Sequence, residues 1–482
     1  MSDAAVTRFD RFTSEELTDI TGGTWQTPPP AGLSVTGVTD NSRGVRPGML
    51  FVAIRGENTD GHRFAAGAAE AGAAAILADR APAPDDAARL TARGVPVLLT
   101  TDSLAAFQAL AHAHRMRYPD LVVVGITGSC GKTSTKEMLA AVLDRRVPGA
   151  VLKTEGNTNN HFGVPRNLLR LGPQHRAAVI EMGTNHPGEI ALLARLAQPR
   201  IGVISNIGHA HLEFFHDLEG VAREKGELFV ALPPEGVAVC PAGVAEAGIL
   251  RARTGNRRLV TYGPEATAPI RVEYLGLGPL GDYGLRLSGP ALRGGPCELR
   301  WGLGGRHQAL NAGAAAAVGT LCGLEATAIA AGLRACALPK MRMEIMEMSG
   351  VHWVNDAYNA NLDSVLAGLE WFGELTANVP REQRLIVLGE MRELGAAAAD
   401  DHRDLLVAVR RLIPDENLLL VGAEMAAAVA AAGGGLAVFP DWAAARPELE
   451  RRLAPGQWVL LKGSNGVHLE NLLPPELRAK AH

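Results

Sequence analysis

Cysteine is scarce and scattered in this chain. Cys130, Cys240, Cys297, Cys322 and Cys336 are the only five in 482 residues, an odd count with no CxxC spacing. Neither a disulfide framework nor a structural zinc site is therefore expected. A basic excess is also missing: 47 Lys and Arg stand against 51 Asp and Glu, a formal charge of -4, which disfavours a general binder of nucleic-acid backbones. Long apolar runs of the ~18 residues that cross a membrane are absent, and the opening MSDAAVTRFDRFTSEELTDI has no apolar signal core. A cytoplasmic protein without membrane insertion is expected. The 55 glycines fall short of a collagen-like or low-complexity composition and point instead to βα turns and close helix packing.

What is present is enough apolar material for several cores, with 47% hydrophobic and 20% charged residues. The patterning predicts a repeated α/β architecture. Near the start, Ser14 is expected to cap a short helix with Glu15 and Glu16 at its positive end, ahead of strands in MLFVAIRG and VPVLLT. LVVVGITGSCGKTSTKEMLAAVL reads as strand, glycine loop and helix, with further strands in AAVIEM, RIGVISNI and GVAVC. Between about 259 and 303 the segments RLVTYG, IRVEYLG, YGLRLSG and CELRW predict a mixed or antiparallel sheet edge, followed by an alanine-rich helix around 307–320. Pro339 and Lys340 mark a hinge. Beyond it, strands alternate with helical LDSVLAGLEWFGEL in a nucleotide-fold manner, without GxGxxG.

The strongest chemical signal is Thr127-Gly-Ser-Cys-Gly-Lys-Thr-Ser134 between an apolar strand and a helix. Backbone N–H groups of Gly128, Ser129 and Gly131 and the helix start can cradle phosphate. Lys132 can neutralise a transferring phosphoryl group, and Thr133 can contact Mg²⁺. Ile126 stands where the strict GxxxxGKT signature has glycine, so an ordinary βα turn is the alternative. Cys130, inside the loop, reads as a filler with a reactive thiol. Glu181 ends AAVIEM, on the side of a parallel sheet where ligands gather. His209 and His211 follow RIGVISNI; each is either structural or, for His211 above all, in reach of a metal. Lys225, by pattern alone, is a solvated surface charge on a helix. Asn157-Thr158-Asn159-Asn160 forms either Asx turns or a ligand-orienting amide loop. Asn355-Asp-Ala-Tyr-Asn-Ala-Asn361 suits ribose and base binding or an N-capping turn, and Lys462 begins a glycine-containing loop that binds an anion or merely turns the chain.

TGSCGKTSTKE, NTNNHFGVP, VIEMGTNHPGEI, HLEFFHDLEGVAREKGELF, GRHQALNA, NDAYNANLDS, LGEMRELG and LKGSNG, in this order across nearly the whole chain, closely resemble the Mur ligase family. The resemblance implies three α/β domains: 1–112 holding the UDP moiety, a central P-loop ATPase-like domain at 113–336, and a C-terminal Rossmann-like domain at 337–482. It implies that Ser42 and Arg43 belong to the UDP region and that Thr158, Asn159 and Asn160 face the peptide substrate. Gly128, Ser129, Gly131, Lys132, Thr133 and Ser134 would hold the phosphates of ATP, with Asn311 near adenine, Asp356 near ribose and Arg342 on the nucleotide. Thr133, Glu181, His211 and a carbamylated Lys225 would serve two Mg²⁺ ions, and Lys132, Glu181, His211 and Lys225 would carry catalysis.

Within the family the pieces are most similar to the branch that adds D-alanyl-D-alanine to UDP-N-acetylmuramoyl-tripeptide through an acyl phosphate, in a chain expected to be monomeric. The DNPR motif of the diaminopimelate-adding branch does not occur. Another amino-acid or polyglutamate ligase of this type, or an ATP-driven switch without ligase activity, are the alternatives. Three positions depart from the family pattern: Met341 stands where Gly precedes Arg, Leu362 where Pro is common, and Asn465 where Arg is frequent.

Overall fold

The computed structural model describes residues 11–56 and 59–481; the first ten residues, part of the segment read for a signal core, lie outside them. Among the described residues there are three larger sheets, with five, nine and six strands. The chain divides into two compact units, Met1–Gly125 with Gly149–Gly183 and Ala191–Arg200, and Ile126–Pro148 with Thr184–Ile190 and Ile201–His482.

The first unit holds the five-stranded sheet. Its strands Val38–Thr39, Leu50–Val52, Ala75–Ala78 and Val97–Leu99 pair in parallel, and Thr24–Trp25 closes the edge antiparallel. Parallel strands covered on both faces should be apolar throughout, and Leu50–Val52 and Ala75–Ala78 are buried at every position. The cap of the first helix, Ser14–Thr21, falls one residue before the expected Ser14. Thr13 accepts the Glu16 N–H while Glu16 reaches back to Thr13, a capping box that Ser14, already helical, cannot make. This unit also contains the parallel strands Ala177–Glu181 and Val151–Lys153 of the nine-stranded sheet.

In the second unit, strands Ile201–Ile204, Val237–Pro241, Arg258–Gly263 and Ile270–Leu277 continue in parallel, then Tyr283–Ser288 and Cys297–Trp301 turn antiparallel, so the mixed edge expected from the sequence is present. The six-stranded sheet runs Glu344–Met348, Val351–Asn355, Trp458–Lys462, Arg384–Gly389, Leu418–Val421, Ala437–Phe439, antiparallel only at its first pair. Asp356 and Lys462 therefore emerge together at the C-terminal ends of adjacent parallel strands, where α/β sheets place their ligands. Helix Leu362–Leu375 starts with Asn361 as N-cap and a reciprocal bond to Ser364. Leu362 occupies the first helical position, which favours Pro but accepts other residues, so that departure from the family pattern leaves the turn intact. Met341 and Met343 adopt φ of 62° and 54°, a left-handed conformation that explains why glycine suits the first of these positions. No helix among the described residues is long and apolar enough to cross a membrane.

Candidate active site

Strand Val122–Thr127 delivers the chain into the glycine loop, and helix Lys132–Asp144 leaves it. Gly131 caps that helix with φ of 75° and no side-chain cap, which leaves the first-turn amides turned to the loop. The loop is moulded on the turn that follows strand Ile201–Ile204. Ser129 N–H donates to Asn206 O (3.2 Å), Cys130 N–H to Asn206 Oδ1 (2.7 Å) and Ser205 Oγ to Cys130 O (2.6 Å). Ser129 Oγ donates to Gly208 O (2.9 Å) and accepts its N–H (3.0 Å). A Cβ at Gly128 would lie 1.9 Å from Ser205 Oγ, so this glycine is imposed by close approach as well as by its φ of 153°. Cys130 fills the loop as expected; burial pushes its thiol up to about 11, which disfavours the thiolate, and Asn206 Nδ2 donates to its sulfur.

Lys132 Nζ donates to Gly128 O at 2.6 Å, so the ammonium lies over the loop it is expected to serve. Thr133 and Ser134 are buried, and the Thr133 hydroxyl accepts from Arg342 Nη2 at 3.0 Å. The Arg342 guanidinium stacks over Tyr358, 4.2 Å from the ring centroid. Asn311 holds the same helix from behind: its Oδ1 accepts from Thr135 Oγ1 (3.1 Å) and its Nδ2 donates to Gln308 (3.0 Å). The Asp356 carboxylate takes Lys462 Nζ (2.7 Å) on one oxygen and the Met343 N–H (3.2 Å) on the other. Lys462 is 2% exposed, which makes its loop an ion-paired element rather than a plain turn.

Lys225 corrects the reading from pattern alone. Helix Leu218–Val230, capped by Asp217, turns this lysine inward, and it is 1% exposed. Burial first, and the positive charge of Lys132 second, push its ammonium down to about 7. Its neighbour Glu224 accepts the N–H groups of Gly188 (2.8 Å) and Ile190 (2.9 Å). His211 Nδ1 lies 2.5 Å from Glu393, and His209 Nδ1 lies 2.9 Å from Asp401. Asp363 Oδ2 accepts the His209 N–H at 2.7 Å. Sequence reasoning missed these three carboxylates and Asn206, since no spacing connects positions so far apart in the chain.

The remaining candidates belong to the first unit. Glu181, 1% exposed, accepts Asn159 Nδ2 at 2.9 Å, so the strand end and the amide loop meet. Asn160 Oδ1 accepts the N–H groups of Phe162 (3.2 Å) and Gly163 (2.9 Å), the Asx-turn alternative. Thr158 is held by Asn167, an overlooked buried amide whose Nδ2 donates to Thr158 O and Oγ1, both at 2.9 Å. Ser42 and Arg43 form a short 3-10 turn capped by Asn41. Beside it, Asp40 takes a bidentate pair from Arg166 at 2.8 and 2.7 Å.

Comparison with known proteins places the chain beside one family. The family model described as Mur ligase family, catalytic domain, covers residues 34–115, the Mur ligase middle domain covers 126–319, and the Mur ligase, glutamate ligase domain covers 341–465. UDP-N-acetylmuramoyl-tripeptide--D-alanyl-D-alanine ligase of Escherichia coli is 36% identical over 465 residues, 96% of this chain and 97% of that one. The crystal structure of MurF from Acinetobacter baumannii superposes with a TM-score of 0.85 at 29% identity, covering 97% of this chain and 99% of the other. MurF ligase from Thermotoga maritima, solved in complex with ADP, gives 0.77 at 26% identity over 92% and 97%. With three domain models in order along a three-domain α/β chain and full-length relatives above 30% identity, the chain belongs to the Mur ligase family.

Proposed function

We propose that this chain is an ATP-dependent ligase that joins D-alanyl-D-alanine to UDP-N-acetylmuramoyl-tripeptide, giving the pentapeptide, ADP and phosphate in peptidoglycan precursor synthesis. The observation that carries the reading is the phosphate loop, an uncapped helix start with Lys132 over it, in a chain aligned over 96% of its length with a relative of that activity.

The tripeptide's terminal carboxylate attacks the γ-phosphorus of ATP and ADP departs, leaving an acyl phosphate. Lys132 and the amides at the start of helix Lys132–Asp144 offset the charge that builds on the phosphoryl oxygens. The neutral amine of the dipeptide then attacks the acyl carbon, phosphate leaves, and the nitrogen gives up a proton as the amide forms. Arg342, Asn311 and Asp356 keep the nucleotide side of the site in register. Thr158, Asn159 and Asn160, braced by Asn167 and Glu181, and Ser42 and Arg43 beside the Asp40–Arg166 pair, serve the UDP-peptide. The domain limits 1–112, 113–336 and 337–482 belong to this proposal and are supported by the three family matches.

Among the described residues no three His, Cys, Asp or Glu side chains cluster to hold a metal ion. The burial of Lys225 supports its expected carbamylation. A buried lysine held near neutrality attacks CO₂ through nitrogen and loses a proton, and the carbamate turns a cation into an anion. Thr133, Glu181, His211 and the carbamylated Lys225 would hold two Mg²⁺ ions, which supply charge neutralisation of phosphate when bound. A cytoplasmic monomer acting in cell-wall growth, cell shape and division completes the proposal.

The test is phosphate release from ATP and Mg²⁺ with UDP-N-acetylmuramoyl-tripeptide, with and without D-alanyl-D-alanine, alongside mass detection of product. Joined product only with the dipeptide is expected. Turnover indifferent to any amine would leave an ATP-driven switch, and product with a different amine would move the chain to another ligase of the family.

A further inference from the structure

The residue following the turn that moulds the phosphate loop is gripped by a distant helix. Gly208 exchanges two hydrogen bonds with Ser129 of the loop, and the N–H of the next residue, His209, is taken by Asp363 Oδ2 at 2.7 Å. Asp363 stands in the first turn of helix Leu362–Leu375, behind its Asn361 cap. The approach is very close: a Cβ on Gly208 would fall 2.2 Å from Asp363 Oδ2 and 2.9 Å from its Cγ. Gly208 is not among the residues with positive φ, so its backbone makes no demand for glycine. The nearest obstacle to a side chain there is the carboxylate of Asp363.

We propose that Asp363 is a positioning residue for the phosphate loop, through which the start of helix Leu362–Leu375 and the nucleotide site are coupled. The inference rests on the ATP-dependent ligase reading. The chain of contacts runs from Asp363 to the His209 N–H, through the Gly208 peptide to Ser129, and so to loop amides expected to face phosphate. A carboxylate accepting a backbone N–H is a charge-assisted bond that holds its donor firmly. Coupling is reciprocal: whatever orders the loop also favours the docked helix, and the docked helix favours the ordered loop.

The experiment uses the full chain and compares Asp363→Ala, Asp363→Asn, Gly208→Ala and the double variant Gly208→Ala with Asp363→Ala. For Asp363→Ala, kcat falls and KM for ATP rises, together lowering kcat/KM for ATP about tenfold or more, the scale of one lost charged hydrogen bond. KM for the UDP-peptide stays within about twofold, and Asp363→Asn, which retains an acceptor oxygen, recovers most of the loss. Gly208→Ala damages the otherwise unchanged enzyme but adds little once Asp363 is alanine, because the obstructing carboxylate is gone. Calorimetric binding of ATP with Mg²⁺ gives the same ordering without turnover. Equal effects on both substrates, no effect of Asp363→Ala, or losses that multiply in the double variant would each overturn the proposal. An unsubstituted enzyme that binds ATP but makes no dipeptide-dependent product would instead overturn the ligase reading, leaving the binding comparison to judge Asp363.

Discussion

An ammonium withdrawn from water loses its hydration, and Lys225 is buried with the cation of Lys132 acting on it, effects that the charge of Glu224 offsets only in part, so it is pushed down to about 7 from 10.5. Lys225→Ala should lose most activity, and small carboxylates added to the assay should restore part of it; no loss, or loss without rescue, would remove the carbamate from the scheme. Lys132 has the opposite task, remaining cationic where phosphoryl charge develops, and Lys132→Ala should lower kcat by roughly a hundredfold to a thousandfold in a single-turnover ADP assay. His307 gives a pH signature. Desolvation pulls its imidazole down from 6.5 to about 4, so the unfolded chain binds more protons between those values. The stability this residue contributes is complete above pH 6.5 and declines as pH falls toward 4. Melting curves of His307→Asn should therefore show a shallower loss over that interval than those of the parent.

At the scale of elements, turns and caps place the chemistry. Asn361 closes a capping box with Ser364 and thereby sets where Asp363 points, so Asn361→Ala should cost about 1 kcal/mol in denaturant unfolding. The phosphate loop was legible from its residues, because a strand, a glycine-rich turn and a lysine-led helix are contiguous and their bonding is local. Helix Leu362–Leu375 was equally legible from its apolar spacing. The inward face of helix Leu218–Val230 was not: one lysine on a helix has the same pattern whether its side faces water or core, and only the packing of Val221, Ala222 and Phe229 settles it. The turn at 205–209 was also opaque, since its partners Ser129, Cys130 and Asp363 come from two separate stretches of chain.

For the whole molecule, ligand binding to the folded state alone should raise stability by mass action. ATP with Mg²⁺ at about a hundredfold excess over its Kd should add about 2.7 kcal/mol, seen as a higher melting temperature that a chelator partly reverses. None of the five cysteines, all among the described residues, forms a disulfide, so a reducing agent should leave that temperature unchanged. The repeated α/β alternation, the phosphate loop and the family are legible before folding, because periodicity and contiguous motifs are local properties of a chain. The burial of Lys225, the raised Cys130 thiol, the Glu181–Asn159 bond and the closing of Asp363 on His209 exist only in the folded molecule. Desolvation and hydrogen bonding between segments far apart in the chain depend on what packs around a residue, and that is settled only when the chain has folded.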